Sequence, residues 1–472
     1  MHLPWQKRGM AQSNAVFLQG NLFRHISVMS LTASLGLMAV FLVDFVDMIF
    51  ISMLGKAELA AAVGYAGAIL FFTSSFGIGM SIAAGALVAR ALGGGDESGA
   101  RMKATTALSY GFAFGALFAA IVWFNLGFLA SLMGASGETH DLAVGYLQII
   151  IPSLPLLLIG MVGGAILRAH GAARRAMYAT IIGGLVNAVL DPILIFGLDL
   201  ELTGAALASV AARVSIAAAA LYPILRHYGG FARPTKDEFA SDFRPIFALA
   251  LPAILTQLAT PVGQAYVTRA MAEFGEEAVA GMAIVGRLIP VAFGTIFALS
   301  GAVGPIIGQN FGAQNYGRVR RAYLDGLLFT ALVVVVVSGL LFVLRGPIGA
   351  LFELEGLSQE IVYLFCGPLA LAWFFNGMIF VSNASFNNLG HPFYSTWTNW
   401  GRHTLGTIPF VMLFAAWFGA AGVLIGQAVG GVMFGLWSGW LAMRVIARQD
   451  PPSEPRPFQR QARLTQLFNF RR

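Results

Sequence analysis

The chain has 472 residues, of which 57% are hydrophobic and only 11% are charged, and its formal net charge is +7. A soluble protein of this length needs far more charge to cover its surface, so the composition argues against a soluble protein. The apolar residues form blocks long enough to cross a bilayer, without the strict alternation of barrel strands. They predict membrane-spanning helices.

Twelve such helices are predicted, six in each half of the chain. In chain order they lie at 26–52, 59–89, 105–127, 142–167, 177–198, 203–225, 245–271, 278–308, 324–344, 361–386, 394–416 and 422–443. The predicted fold class is therefore an all-α polytopic membrane protein.

The lysines and arginines are distributed unevenly among the loops. Most of the 29 basic residues fall in alternate loops and in the two terminal segments, whereas the opposite loops carry mainly acids such as Glu138 and Asp199. Because cytoplasmic loops are enriched in lysine and arginine, both termini are predicted to be cytoplasmic. The positive charge then reflects topology, and we expect no nucleic-acid partner. The arginine-rich tail either contacts anionic membrane lipids or only fixes the topology.

The two halves of the chain resemble each other. Phe23-Arg24 precedes the first span as Phe243-Arg244 precedes the seventh, and Tyr146 opens the fourth span as Tyr363 opens the tenth. Parallel repeats of this kind occur in transporters that work by rocking one half against the other. The predicted segments are an N-terminal segment at 1–25, an N-lobe at 26–225, a cytoplasmic linker at 226–244, a C-lobe at 245–443 and a basic cytoplasmic tail at 444–472.

Two acidic residues lie in the first span, where a charge is costly and therefore indicates function. Asp44 and Asp47 are three residues apart, which places them on nearly one face of a helix. Two close carboxylates in a low dielectric cannot easily both stay ionised, so we expect one to take up a proton near neutral pH.

The fifth span carries a second polar group of residues. Asn187 and Asp191 are four residues apart and share a helix face, and Pro192 frees the carbonyl of Ala188. These oxygens are plausible ligands for a proton or a hard cation, and the hydroxyl of Ser209 in the sixth span could join them. The alternative is a hydrogen-bond network that only packs helices.

The second half offers no equivalent acidic site. The seventh span has no aspartate or glutamate between residues 245 and 272, and the tenth has only amides and hydroxyls. An acidic coupling site is therefore expected in the N-lobe alone.

The sequence contains no motif of an enzyme or an ATP-driven pump. We find no phosphate-binding loop, and the histidines lack metal-ligand spacing. Energy is therefore expected to come from an ion gradient. We expect no catalytic residue, no cofactor beyond H⁺ or Na⁺ as the coupling ion, and no metal site other than Na⁺ at the coupling residues.

Several stretches, taken in order, resemble the multidrug and toxic compound extrusion (MATE) family along nearly the whole chain. They are FVDMIF at 45–50, ALGGGD at 91–96, LRAHG at 167–171 and NAVLDPILIFG at 187–197. The resemblance implies two six-helix lobes in a V shape around a central cavity. It also implies antiport of organic cations and other amphiphiles against protons or sodium.

The resemblance also bears on individual residues. The aspartate that the family carries in its first span corresponds to Asp47, and the other coupling positions correspond to Asn187, Asp191 and Ser209. These residues resemble the DinF-like branch, since the second-lobe acids of the NorM branch are missing. Asp44 stands where the resemblance implies a neutral polar residue.

The leading hypothesis is a monomeric exporter of drugs or other amphiphiles in the inner membrane, coupled to protons in preference to sodium. Protonation of Asp47 and Asp191 would bend the first span and release the substrate outward. The alternative is a flippase for lipid-linked precursors. Such a protein would line its cavity with arginines, for which the sequence offers Arg213, Arg269, Arg287 and Arg402.

Overall fold

The structure, a computed structural model, describes residues 15–449. Within this range the chain is helical almost throughout and contains no β-strand. The helices are α1 (Leu22–Met53), α2 (Ala57–Gly93), α3 (Glu97–Phe124), α4 (Leu126–Leu132), α5 (Gly137–Ile150), α6 (Leu154–Ala169), α7 (Ala173–Pro192), α8 (Glu201–His227), α9 (Lys236–Ala272), α10 (Glu276–Gly312), α11 (Tyr316–Leu351), α12 (Gly356–Leu364), α13 (Trp373–Asn388), α14 (Pro392–His403) and α15 (Ile408–Gln449).

Some spans combine two helices. A 3₁₀ turn at Ile151–Ser153 joins α5 to α6 in the fourth span. In the tenth span α12 continues through a π-helical segment at Phe365–Leu369 and meets α13 at an angle of 61°. Pro368 and the non-helical Gly367 account for this break, because proline removes a backbone donor from the helix.

The last helix, α15, contains a reversal of the chain. As one straight helix its 42 residues would extend about 63 Å, about twice the hydrocarbon thickness of a bilayer. Gly419 has φ 58° and ψ −139°, a conformation available to glycine and few other residues. Beyond it, Gly422 and Gly426 pack closely on the backbone of Phe414 and Phe410, as in two antiparallel helices. Helix α14 is too short to span alone and forms the eleventh span with the residues of α15 before Gly419, so the described residues form twelve spans, as predicted.

The spans pack as two lobes, each around its own apolar cluster. One cluster joins residues of α1 to α8 with Ile246, Leu249 and Ala250 in the first half of α9, and another joins residues of α9 to α15. A third cluster unites both lobes and includes Ile26 and Met29 of α1 with Ile306 and Ile307 of α10. This shared cluster lies at the end of the bundle where residues 15 and 449 lie, which we call the terminal end; the opposite end is the far end.

Part of the segment predicted as a linker at 226–244 is helical. Helix α8 ends at His227 and α9 already begins at Lys236, so residues 236–244 are helical. Thr235 caps α9: its hydroxyl accepts from the Glu238 N–H, and its own N–H donates to the Glu238 carboxylate. These bonds hold the pKa of Glu238 below its ordinary value.

The predicted terminal segments are also partly helical. The segment predicted at 1–25 contains a 3₁₀ turn at Val16–Leu18, and α1 begins at Leu22 because Asn21 accepts from the Arg24 N–H. The tail predicted at 444–472 starts as the last turns of α15, which reaches Gln449. The rest of that tail, at 450–472, lies outside the described residues.

The lobes are fastened together at the terminal end. Gln309 of α10 accepts from the Phe17 N–H (2.9 Å) and donates to the carbonyl of Ala169 (2.8 Å). Arg90 of α2 donates to the Asn387 carbonyl at 2.6 Å, and Arg318 donates to the carbonyl of Phe17 at 2.9 Å. All interlobe hydrogen bonds found within residues 15–449 lie at this end, so the terminal end is closed.

The reversal at Gly419 predicts the side of the membrane to which each loop is exposed. In a Cys366→Ser background, cysteines replacing Glu58 and Phe418 should react with an impermeant maleimide from one side of the membrane. A cysteine replacing Ser98 should react only from the other side. Protection of the Phe418 position from both sides would instead place it in mid-membrane and contradict the reversal.

Candidate functional site

The polar residues of the fifth span lie where α7 changes its winding. Pro192 ends the regular helix, and a π-helical turn follows at Ile193–Gly197, in which the Leu198 N–H donates to the Ile193 carbonyl at 2.9 Å. Proline cannot donate a backbone hydrogen bond, and π-helical turns occur often at functional sites. Asp191 thus stands at the junction of two helical forms.

Three of the predicted residues meet inside the N-lobe. The side-chain amide of Asn187 donates to both carboxylate oxygens of Asp47, at 3.0 and 3.1 Å, and to Asp191 Oδ2 at 2.7 Å. The two carboxyl groups also lie close enough to interact directly. Asp191 is fully buried and Asn187 nearly so, whereas Asp47 is half-buried. We call these three residues the acid pair site.

One carboxylate oxygen of the acid pair site has no hydrogen-bond donor. Asp191 Oδ1 is buried and has no hydrogen-bond partner among the described residues. A buried acceptor without a partner costs free energy, so such atoms call for a missing donor. A proton on one carboxyl group, or a small cation, would provide a partner for this oxygen.

Tyr146 of α5 lies next to the acid pair site. Its side chain is buried, interacts with Ser209 and lies near Asp47, Asp191 and Arg213. Ser209 therefore joins the site through Tyr146, and no hydrogen bond links its hydroxyl to either aspartate among the described residues. The role of Ser209 as a coupling residue stays a prediction.

Asp44 lies outside this hydrogen-bond network. It is exposed and forms no hydrogen bond within the described residues, although it is close enough to Asp47 to interact electrostatically. The spacing of three residues does place the two side chains near each other, but only Asp47 faces α7.

A central cavity of about 980 Å³ lies between the two lobes. Its walls combine the middle of α1, α2, α6 and α7 with α9, α10, α13 and α14. The acid pair site does not line this cavity; it lies within the N-lobe. The structure therefore separates a candidate ion site from a candidate substrate site, with α1 and α7 shared between them.

The arginines expected of a flippase do not gather around the cavity. Arg402 alone among the four lines it. Arg213 instead donates to the Ile150 carbonyl (3.1 Å) and the Ser153 hydroxyl (2.9 Å), and Arg269 and Arg287 are exposed. Sequence reasoning missed Arg168, which it placed in a loop but which lines the cavity. It also missed Tyr146, because an uncharged tyrosine in a span lacks the free-energy cost by which a charged residue indicates function.

Replacement of Asn187 by leucine should destabilise the protein by about 1–3 kcal/mol, because the two buried carboxyl groups lose their shared donor. The loss should be greater near pH 8 than near pH 5, since protons supplied at low pH remove the repulsion between the carboxylates. Thermal unfolding in detergent measures this difference. Thr180→Val on the same helix is the control, because that hydroxyl bonds only to the Ala176 carbonyl. An equal loss at both pH values would contradict the shared role.

Comparison with known proteins agrees with this architecture. The MatE family matches residues 33–193 and 252–413, one segment in each lobe. The chain is 28% identical to the FAD transporter of Shewanella oneidensis over 88% of this chain and 93% of that protein. It is 24% identical to the multidrug export protein MepA of Staphylococcus aureus over 86% of this chain and 90% of that protein.

A solved structure shows the same fold. An outward-facing multidrug resistance transporter of the MATE family superposes with a TM-score of 0.85 at 22% identity, covering 92% of this chain and 98% of that chain. Two matched family segments and a shared two-lobe fold thus lead to one conclusion: the chain belongs to the MATE family of membrane transporters.

Proposed function

We propose that this protein is a cation-coupled antiporter that exports amphiphilic compounds across the inner membrane, with protons favoured over sodium as the coupling ion. The observation that carries the proposal is the acid pair site: two carboxyl groups share one amide inside a single lobe, and one buried oxygen lacks a partner. A buried acid pair without an arginine or lysine in contact is a typical ion-coupling device in membranes.

The donor arrangement supports a proton. The amide nitrogen of Asn187, not its oxygen, faces both carboxylates, and its hydrogens would repel a sodium ion there. A proton on Asp47 or Asp191 needs no cage of oxygen ligands. It would donate to the opposite carboxylate and remove the repulsion between the two acids.

The restriction of the site to the N-lobe supports a DinF-like arrangement. The C-lobe has two buried acids among the described residues, Asp242 and Asp325. Each is already ion-paired at the terminal end, with Lys103 and Arg321 respectively. Neither is free to exchange an ion with the cavity.

Helix α1 links the ion site to the movement of the lobes. Its first half, with Ile26 and Met29, packs into the cluster shared by both lobes, and its second half carries Asp47. Protonation that releases Asp47 from Asn187 would let this second half bend and change the cavity wall. The closed terminal end, together with the predicted cytoplasmic location of both termini, supports an outward-facing state of an alternating-access cycle.

The relatives support a small exported compound. Shewanella oneidensis has a FAD transporter and Staphylococcus aureus a multidrug export protein that match nearly the full length of this chain. Both names describe transport of small molecules, which fits a cavity of about 980 Å³.

Asp47→Asn and Asp191→Asn should each strongly reduce transport driven by a pH gradient, because an amide cannot take up and release the proton. Dye efflux from proteoliposomes, with pH and sodium gradients imposed separately, measures this effect. A coupling of about 1–3 kcal/mol corresponds to a loss of about 5- to 150-fold. Asp44→Asn is the matched control, since Asp44 lies outside the hydrogen-bond network. Unchanged pH-driven efflux in both variants would refute the coupling role.

Loss of the Gln309 side chain should open the terminal end more often, because two interlobe hydrogen bonds disappear. In a Cys366→Ser background, a cysteine replacing the cavity-lining Ser300 reports this opening through its reaction rate with a maleimide supplied from the terminal side. We expect Gln309→Ala to raise the rate about fivefold or more. Gln359→Ala at the far end should leave it unchanged; equal rates in all variants would contradict the closing role.

A further inference from the structure

The central cavity carries positive charge and no negative charge. Arg168 and Arg402 line it, with His403 beside them. No aspartate or glutamate occurs among its lining residues in the described part of the chain. This is unexpected for a pump of organic cations, because a carboxylate on the cavity wall would favour a positive substrate.

Neither cavity arginine has an acidic partner. The ion pairs within residues 15–449 involve other residues, and no side-chain hydrogen bond fixes either guanidinium. An unpaired charge inside a membrane protein is expensive, and such residues usually mark a ligand pathway. The two guanidinium groups therefore favour the entry of anions and disfavour the entry of cations.

The two arginines lie at different depths of the cavity. Arg168 is the penultimate residue of α6 and lies beside Gly301 of α10, near the closed terminal end. Arg402 lies ten residues after Pro392, the first residue of α14. It is therefore about 15 Å further along that helix. An anion that enters from the far end would meet Arg402 before Arg168.

The C-lobe wall of the cavity offers unpaired polar atoms. Asn376 Oδ1, Asn388 Oδ1 and His403 Nε2 are buried and have no hydrogen-bond partner among the described residues. All three residues line the cavity. Buried polar atoms without partners favour a polar ligand that would satisfy them.

An aromatic surface lies on the same wall. Phe297 packs against Trp373 and Phe380, with ring centroids 5.7 and 5.5 Å apart, and all three side chains line the cavity. Such rings bind planar substrates by stacking or edge contacts. The wall therefore combines an aromatic surface with polar atoms and a cation.

We propose that the central cavity binds small aromatic anions, with the ring on the surface formed by Phe297, Trp373 and Phe380 and the acidic group towards Arg402 and Arg168. This inference rests on the proposed export function and narrows its substrate class. The acidic group is a carboxylate or a phosphate, both of which arginine recognises through paired hydrogen bonds.

The test measures binding to the purified full-length chain in detergent without any ion gradient. The probes are 1-naphthyl phosphate, 1-naphthoate and the cation 1-naphthylmethylammonium. Isothermal titration calorimetry measures the binding of each one. We expect at least one anion to bind more tightly than the cation, and the stronger of the two anions identifies the preferred acidic group. Tighter binding of the cation, or no binding of either anion, would overturn the proposal.

Variants of Arg402 make the test specific. Arg402→Gln should weaken anion binding about 10- to 100-fold, the range expected for a charge-assisted hydrogen bond. Arg402→Glu should reverse the preference and favour 1-naphthylmethylammonium, which a merely misfolded variant would not do. Arg287→Gln is the control, because that arginine is exposed and outside the cavity lining. Equal anion affinity in Arg402→Gln and the unmodified protein would contradict the assignment.

The binding test can distinguish failure of the substrate assignment from failure of the ion-coupling proposal. Asp47→Asn should still bind the anions more tightly than 1-naphthylmethylammonium while losing pH-driven transport. Failure of anion binding with intact coupled efflux would remove the substrate assignment alone. Intact anion binding with efflux that ignores both gradients would remove the coupling proposal alone.

Discussion

Two carboxyl groups held by one amide, in an environment that cannot solvate them, are the constraint around which the N-lobe is organised. Asn187 can serve both Asp47 and Asp191 only if α1 and α7 stay in contact at this depth. The arrangement satisfies every carboxylate oxygen except Asp191 Oδ1. Because water is scarce there, the contact between the two helices and the ionisation of the pair are linked. That linkage lets a proton act on the position of a helix.

The two lobes divide the work unequally although their folds are related. The N-lobe contains the acid pair site, which lacks a basic partner, and the C-lobe contains the asparagines and the aromatic surface of the cavity wall. Separate sites avoid a conflict, since a cavity that attracts anions would be opposed by carboxylates on its surface. In this arrangement the ion and the substrate influence each other through α1 and α7, not by direct contact.

Much of the fold could be predicted from the sequence, because lipid imposes a strong pattern of apolar blocks. The number of spans and the contact between Asp47, Asn187 and Asp191 followed from hydropathy, helical spacing and the family resemblance. Helix boundaries, such as the start of α9 at Lys236, could not be predicted in this way. Helices extend beyond the apolar layer, and α9 begins where Thr235 caps it. Arg168 was assigned to a loop for the same reason. The division into lobes and segments at the predicted residue numbers stays a prediction.

The bonds that close the terminal end have a consequence for how the protein tolerates mutation. Arg90, Gln309 and Arg318 donate to main-chain carbonyls of Asn387, Ala169 and Phe17. Every amino acid provides such a carbonyl, so the accepting residues can be substituted while these hydrogen bonds persist. The donors have no such freedom. During evolution, the residues that supply the accepting carbonyls at the terminal end should therefore vary, whereas the long side chains that donate to them should be constrained.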